Sequence, residues 1–318
     1  MRPTGVLHLG HWVGALSNWV ELQRKYKCFF MIADWHALMS EYKNPQSIKK
    51  YAVDNLGDWL SYGIDPEESV VFVQSHIPQH LELFIILSTL TPLGWLYRCP
   101  TFKEQISQLK DKDINTYSFL GYPILQASDI ILYDADFVPV GEDQLPHLEL
   151  CREIIRRFHF IYGKEIFKEP KALLTKIPRL MGLDGRKMSK SYDNYIALCE
   201  DSKTLQEKVL SMFTDPARKR RNDPGHPDIC NVFSYYSVFK ADKKEAVRDW
   251  CINAKKGCRE CKSELAKILE DFIAPHREKK RGFLKRKNYM SDVLSEGDKK
   301  AGKVSEKALS KVRDILGI

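Results

Sequence analysis

The chain has 318 residues, 43% of them hydrophobic, and a net charge of +8, which allows two domains with a sizeable core. No apolar run approaches the roughly 20 residues of a membrane span and no secretory apolar segment stands at the start, so a cytoplasmic protein is expected. The charge is uneven: residues 216–318 hold 26 Lys+Arg against 15 Asp+Glu, whereas residues 1–215 hold 24 against 27. The excess in the last third points to a polyanionic partner docking there.

In chain order, a Pro3-Thr4-Gly5 turn leads into His8-Leu9-Gly10-His11 and an amphipathic helical pattern through Trp12, Leu16, Trp19 and Val20. A helix opening near Leu9 would aim its first amides and its positive dipole end at the turn, a disposition that suits an anion. His8 and His11 share a face, and Gly10 leaves room for a nucleotide against the backbone. The apolar run Cys28–Ala33 reads as a strand buried on both faces, ending in Asp34-Trp35-His36 where open α/β sheets bind ligands. A helix follows from Pro45 to about Tyr62, then a second buried strand at Val70–Val73. This alternation predicts a doubly wound parallel sheet.

Residues 78–98 form an unusually apolar helical stretch that needs cover on more than one side, as core or as a subunit contact. Residues 103–117 are polar and read as a mobile connector. In Tyr122–Tyr133 the lone carboxylate Asp129 sits inside an apolar helical segment and needs a donor. Tyr122 and Gln126 fall on its face. Phe137–Val140 is a further strand, followed by Gly141-Glu142-Asp143-Gln144 and a helix to about Tyr162. The loop after Gly182 carries Lys187-Met188-Ser189-Lys190-Ser191, two lysines placed to clamp phosphates electrostatically.

Beyond Asp215 the pattern becomes charged helices, with the basic run Arg218-Lys219-Arg220-Arg221 near its start. Cys230, Cys251, Cys258 and Cys261 supply four soft ligands suited to zinc or to a [4Fe–4S] cluster. Residues 303–318 read as a short helix packing back on the first domain.

Five blocks in order resemble bacterial tryptophanyl-tRNA synthetases of class I. They are Arg2-Pro3-Thr4-Gly5 with His-Leu-Gly-His, Ala33–Ala37, Tyr122–Asp129, Gly141–Gln144 and Lys-Met-Ser-Lys-Ser. The resemblance implies a Rossmann catalytic domain over residues 1–205, an α-helical anticodon-binding domain over 206–302 and, usually, a homodimer. It implies that Asp129 accepts the indole N–H of tryptophan, while Tyr122, Gln126, Gln144 and His36 hold its ammonium and carboxylate ends. Arg2, Pro3, Thr4, Gly10, His11, Gly141, Glu142, Asp143 and Leu180 would surround ATP with Mg²⁺. His8, His11, Lys187, Ser189 and Lys190 would act on the phosphates, with Met188 and Ser191 completing that segment. tRNA(Trp) is the implied second substrate. The four-cysteine pattern resembles members that carry a [4Fe–4S] cluster, with zinc as the other choice. A tyrosyl-tRNA synthetase and a non-catalytic RNA-binding relative are the competing readings; the Gly-Glu-Asp-Gln block and the cysteines favour the tryptophan enzyme. Family members also carry a short segment ahead of Arg-Pro-Thr-Gly that forms the central strand. Met1 stands directly before Arg2 here, so a sheet without that strand, and a true start upstream, are expected.

Overall fold

The structure, a computed structural model, describes residues 1–99, 116–174 and 180–318; the connector expected over 103–117 lies almost wholly outside them. Helix α1 runs through Leu9–His11, Trp12–Leu16 and Ser17–Leu22, its middle stretch a π-helical turn. Strand β1 (Phe29–Ile32) leads to α2 (Asp34–Glu41) and α3 (Gln46–Ser61), and strand β2 (Val70–Val73) to α4 (Gln79–Leu90) and α5 (Leu93–Arg98). Helix α6 (Tyr117–Ile131), strand β3 (Phe137–Val140), α7 (Leu145–Tyr162) and strand β4 (Lys171–Leu174) follow. The remainder is helical: α8 (Ser202–Ser211), α9 (Asn231–Phe239), α10 (Lys244–Ile252), α11 (Cys258–Lys285) and α12 (Tyr289–Leu316).

The sheet is split. β1 pairs with β2 and β3 with β4, both in parallel, and among the described residues no strand joins the two pairs. Met1 lies along β1: its amino group donates to Met31 O at 2.6 Å, and its carbonyl accepts the Ala33 N–H at 2.9 Å. The outer edge of β2 is closed by a helix rather than a strand. A Cβ on Gly297 of α12 would collide with the Val71 carbonyl, so only glycine lets the helix lie so close. Asp298 Oδ1 accepts the Val73 N–H at 3.2 Å. A strand edge that would otherwise offer unpaired groups is covered.

One hydrophobic core runs from Leu16, Phe30, Leu56 and Trp59 into Tyr235, Tyr236, Leu265, Leu269 and Ile273 of the helical part. A second core gathers Leu83, Leu87, Leu125, Ile154 and Phe158 with Leu309 and Val312 of α12. The stretch 78–98 contributes to that core through one side and leaves Ile85, Leu93 and Tyr97 more than half exposed. Among the described residues no helix is long and apolar enough to cross a membrane.

A buried ion pair fixes α11 to α3. Lys280 Nζ reaches Asp58 Oδ1 and Asp54 Oδ1, each at 2.8 Å, with Asp58 buried. Burial pushes the Asp58 carboxyl up to about 6, with Lys280 working against it. Alongside, Arg277 grips Glu270 and the Glu200 carbonyl, and His276 Nδ1 donates to Ser61 O at 2.7 Å. Removing one partner of a buried pair leaves the other charge uncompensated. Lys280→Met should therefore destabilise the protein by about 3–5 kcal/mol at neutral pH in denaturant titrations. The folded-state Asp58 pKa in this variant lies above its unfolded value, so the deficit should shrink as pH falls toward 5.

Candidate active site

Two segments far apart in sequence meet through a short backbone ladder. Leu9 N donates to Ile196 O and Leu198 N to Leu7 O, both at 2.9 Å, flanking an antiparallel bridge between His8 and Ala197. This returns the lysine loop over the start of α1. Gly10 N–H points at Met188 Sδ, 3.3 Å away and 178 residues distant in the chain. A Cβ on Gly10 would sit 3.0 Å from the His8 ring and 3.3 Å from that sulfur; one on Gly5 would meet Lys190 Cδ at 2.8 Å. Both glycines are where side chains of the two motifs close on the backbone. The amides at the start of α1 are not all open, contrary to the sequence expectation: Leu9 N–H is taken by Ile196 O. The Gly10 N–H is held by a thioether, a weak acceptor that an anion could displace.

The histidines are neutral. Burial, then the nearby Lys190 charge, pushes His8 down to about 4; burial, then His8 and Lys190, lowers His11 well below the ordinary range. His11 Nδ1 accepts the His8 backbone N–H at 3.1 Å. A neutral His11 therefore carries its proton on Nε2, as a donor. His8 Nδ1 is buried without a hydrogen-bond partner.

Asn194, which sequence reading did not single out, holds the lysine loop in shape. Buried at 3% exposure, it accepts the Ser189 N–H at 2.8 Å and donates to Asp184 Oδ1 at 2.7 Å and Lys187 O at 3.1 Å. Leu180 and Met188 are buried against the α1 core, and Lys187 is exposed. Pro3 is buried beneath the turn in which Thr4 N donates to Arg2 O.

A cavity of about 360 Å³ opens beside this junction, lined by Arg2, His36, Tyr122, Gln126, Asp129 and Gln144. Six residues chosen from the sequence thus meet in one space, joined by Met1, Met31, Ala33, Met39 and Phe119, which were not chosen. Asp129 is one of its lining residues and is already well supplied with donors. Gln74 Nε2 donates to Oδ1 at 2.8 Å, His80 Nδ1 meets Oδ1 at 2.6 Å and His36 Nε2 meets Oδ2 at 2.9 Å. His80 is fully buried, and its Nε2 meets Tyr133 Oη at 2.8 Å. Burial pushes Asp129 up, but the hydrogen bonds and charges of His36 and His80 prevail and hold it at about 2. His36 thus faces Asp129 rather than standing free for a ligand. Tyr122 Oη meets His147 Nε2 at 2.9 Å, and burial lowers His147 to about 4. Gln144 donates to Asp143 at 2.9 Å on the turn after Gly141, where Glu142 and Asp143 are exposed.

The four cysteines come together at one pole of the helical part. Each of the six pairs among Cys230, Cys251, Cys258 and Cys261 is near enough for one thiolate to raise another's pKa. Burial, reinforced by those neighbours, pushes Cys261 up to about 12. Yet among the described residues no three His, Cys, Asp or Glu side chains are gathered tightly enough to hold a metal ion. The basic run next to them also differs from expectation. Arg218 turns inward, donating to Arg221 O at 2.7 Å and Lys256 O at 2.8 Å, with Nη1 3.9 Å from Cys258 Sγ. A guanidinium bonded to two carbonyls braces this loop, whereas Lys219, Arg220 and Arg221 are exposed, Arg221 pairing with Glu260 at 3.1 Å.

The family model for class I tRNA synthetases (W and Y) matches residues 1–274. The tryptophan–tRNA ligase of Thermotoga maritima is 47% identical over 321 residues, covering 100% of this chain and 98% of that protein. That of Aquifex aeolicus is 40% identical, with 100% and 98% covered. Among solved structures, the Campylobacter jejuni tryptophanyl-tRNA synthetase complexed with ADP and tryptophan superposes with a TM-score of 0.91 at 31% identity, covering 100% and 98%.

The lysine loop gives a direct test. Asn194→Asp keeps the acceptor for Ser189 N–H but turns the donor side into a carboxylate facing Asp184 and the Lys187 carbonyl. Such a buried mismatch costs about 2–3 kcal/mol, so the apparent KM for ATP should rise roughly 30- to 150-fold. Melting measurements would show whether the cost falls on the loop or on the fold.

Proposed function

The chain belongs to the class I tRNA synthetases of the tryptophan and tyrosine group, and we infer that it activates L-tryptophan with ATP and transfers it to tRNA(Trp). The observation that carries this reading is the junction of the histidine and lysine segments beside a cavity lined by an ionised carboxylate. An indole N–H can only donate, and an ionised Asp129 can only accept.

Tryptophan enters with its ring toward Asp129 and its polar end toward Tyr122, Gln126 and Gln144, while His36 stays bonded to Asp129. ATP lies over Gly10, between the Arg2-Pro3-Thr4 turn, Gly141–Asp143 and Leu180. The carboxylate of tryptophan attacks the α-phosphorus, forming the adenylate and releasing pyrophosphate. That carboxylate is already ionised, so no general base is needed. The chain's share is positioning and charge stabilisation: neutral His11 donates from Nε2, His8 lies beside it, and Lys187, Ser189 and Lys190 meet the departing phosphates. Mg²⁺, when bound, neutralises phosphate charge. The adenylate then passes to the 3′-terminal ribose of the tRNA. A cytoplasmic homodimer is part of this reading, with exposed Ile85, Leu93 and Tyr97 offering an apolar face.

Pyrophosphate exchange that depends on tryptophan and not on tyrosine tests this function; exchange with tyrosine alone would favour the other branch of the family. Asp129→Ala should erase most of the preference for tryptophan over phenylalanine, a discrimination of about 10⁴-fold where a site is built around one such hydrogen bond. The lowered Asp129 pKa places its stabilisation above the unfolded carboxyl range near 4 and loses it as pH falls toward 2. The KM for tryptophan should accordingly show no titration from Asp129 between pH 5 and 9.

The four cysteines are assigned here to a [4Fe–4S] cluster, with zinc as the second choice. All six pairs lie within electrostatic reach of one another, and Arg218 and Lys262 bring positive charge to an anionic tetrathiolate. The Arg218 Nε is buried without a partner, as a donor kept for such a group would be. Bound by Cys230, Cys251, Cys258 and Cys261, the cluster supplies a structural brace. Protein purified without oxygen should be brown and hold about four irons per chain; colourless, zinc-loaded protein would overturn this assignment.

A further inference from the structure

A second cleft, of about 510 Å³, lies at the other end of the same elements. The tryptophan cavity takes Ala33 and His36, which follow β1, whereas this cleft takes Lys27, which precedes it. Its wall is α12, with Lys300, Lys303, Lys307 and Lys311 on one side of the helix and an apolar floor that includes Phe167 and Val304. All four lysines are exposed, and among the described residues none makes an ion pair within hydrogen-bond reach, Lys300 lying only within electrostatic reach of Glu296. Other cations of the same helix are neutralised: Lys299 by Glu296 at 2.7 Å, and Arg313 by Glu82 and Glu306 at 2.7 Å. The acidic residue in the cleft, Asp134, already pairs with Lys168 at 3.2 Å.

Spacings of three and four residues keep the lysines within one narrow stripe and step them about 4.5–6 Å apart over roughly 16 Å. A single phosphate needs converging donors; this stripe is a line. A nucleic-acid strand offers a charge every ~3.4 Å of axis and so meets a line with a line. The apolar floor gives the lysine stems a surface to lie on while their ammonium groups reach outward.

We propose that the Lys300–Lys311 face of α12, with Lys27 opposite, binds the phosphodiester backbone of the tRNA at a site distinct from both the reaction centre and the cysteine pole. The proposal rests on the aminoacylation reading above. The site supplies affinity without sequence readout, and its contribution grows as salt falls.

The test uses the full-length protein with all four lysines changed to Gln, and a second variant with all four changed to Arg. In the Gln variant, tryptophan-dependent pyrophosphate exchange should keep its wild-type rate while the KM for tRNA at moderate salt rises about tenfold. Its slope of log affinity against log salt should fall by about 2–3.5, near 0.9 for each phosphate that a lysine no longer neutralises. The Arg variant should match wild type in every measurement. Wild-type KM and slope in the Gln variant would overturn the proposal. An Arg variant as weak as the Gln variant would also overturn it, since packing rather than charge would then be at work. Unchanged tRNA parameters with lost binding to polyglutamate would assign the face to an acidic protein and refute the RNA assignment. Failure of exchange in the wild-type protein would instead strike at the ligase reading.

Discussion

The structure is organised around keeping one buried carboxylate ionised. An isolated carboxylate in a low-dielectric interior is prohibitively costly and would normally protonate. Asp129 avoids this because His36 after β1, Gln74 after β2 and His80 at the start of α4 all direct polar hydrogens at it. Charge-assisted bonds of that kind are the strong ones. The geometry they demand also fixes where the carboxyl ends of both strands must sit relative to α6. The same constraint defines chemistry: an acceptor saturated on its protein side and ionised far below neutral pH can offer a ligand nothing but acceptance. His80 extends the arrangement outward to Tyr133, so the orientation of the carboxylate is set by a chain of groups, all on the protein.

A second constraint closes the other side of the site. The ladder between Leu7–Leu9 and Ile196–Leu198 brings together the histidine segment and the lysine loop. Asn194, two residues before the ladder, holds the loop through both its donor and acceptor sides. The helical part is not an appendage to this arrangement, because one core runs through both halves and Lys280 joins α11 to α3 beside it. Displacement of α11 would disturb α3, and through it the packing behind α1.

How much of this was legible in the sequence depended on whether a signal was local. The apolar runs at Phe29–Ile32, Val70–Val73 and Phe137–Val140 were readable as strands because four consecutive apolar residues between turns have few alternatives, although only Val70–Val73 is buried throughout. β4 escaped: Lys171-Ala172-Leu173-Leu174 is short, opens on a charge and is partly exposed. Asp129 stood out as a charge in an apolar helix, and Tyr122, Gln126, His36 and Gln144 do share its cavity. His80, Gln74, Asn194 and His147 were invisible, since each is one polar residue whose partners are not marked by any local pattern; the lone charge at Asp129 demanded donors but did not say which. Arg218 shows the opposite error. A run of four basic residues looks like a polyanion contact, but the chain turns one of them inward to bond two carbonyls.

The charge excess of the last third illustrates how composition and structure carry different information. A balance of 26 basic against 15 acidic residues says that a polyanion is attracted somewhere. It cannot say where, because many of those charges are spent locally on Glu and Asp partners. Helical periodicity does the sorting. On α12 the residues facing β2 must be small, as Gly297 and Ala301 are, for the helix to close the strand edge. Toward α4 the helix packs Leu309 and Val312 into the second core and pairs Arg313 with Glu82. What remains is a face that neither packing nor pairing claims, and it carries lysine at four positions in register. The requirement that α12 seal the edge of β2 thus dictates which side of the helix is left for charge. A single helix therefore closes the sheet with one face and turns an unneutralised line of lysines outward with another.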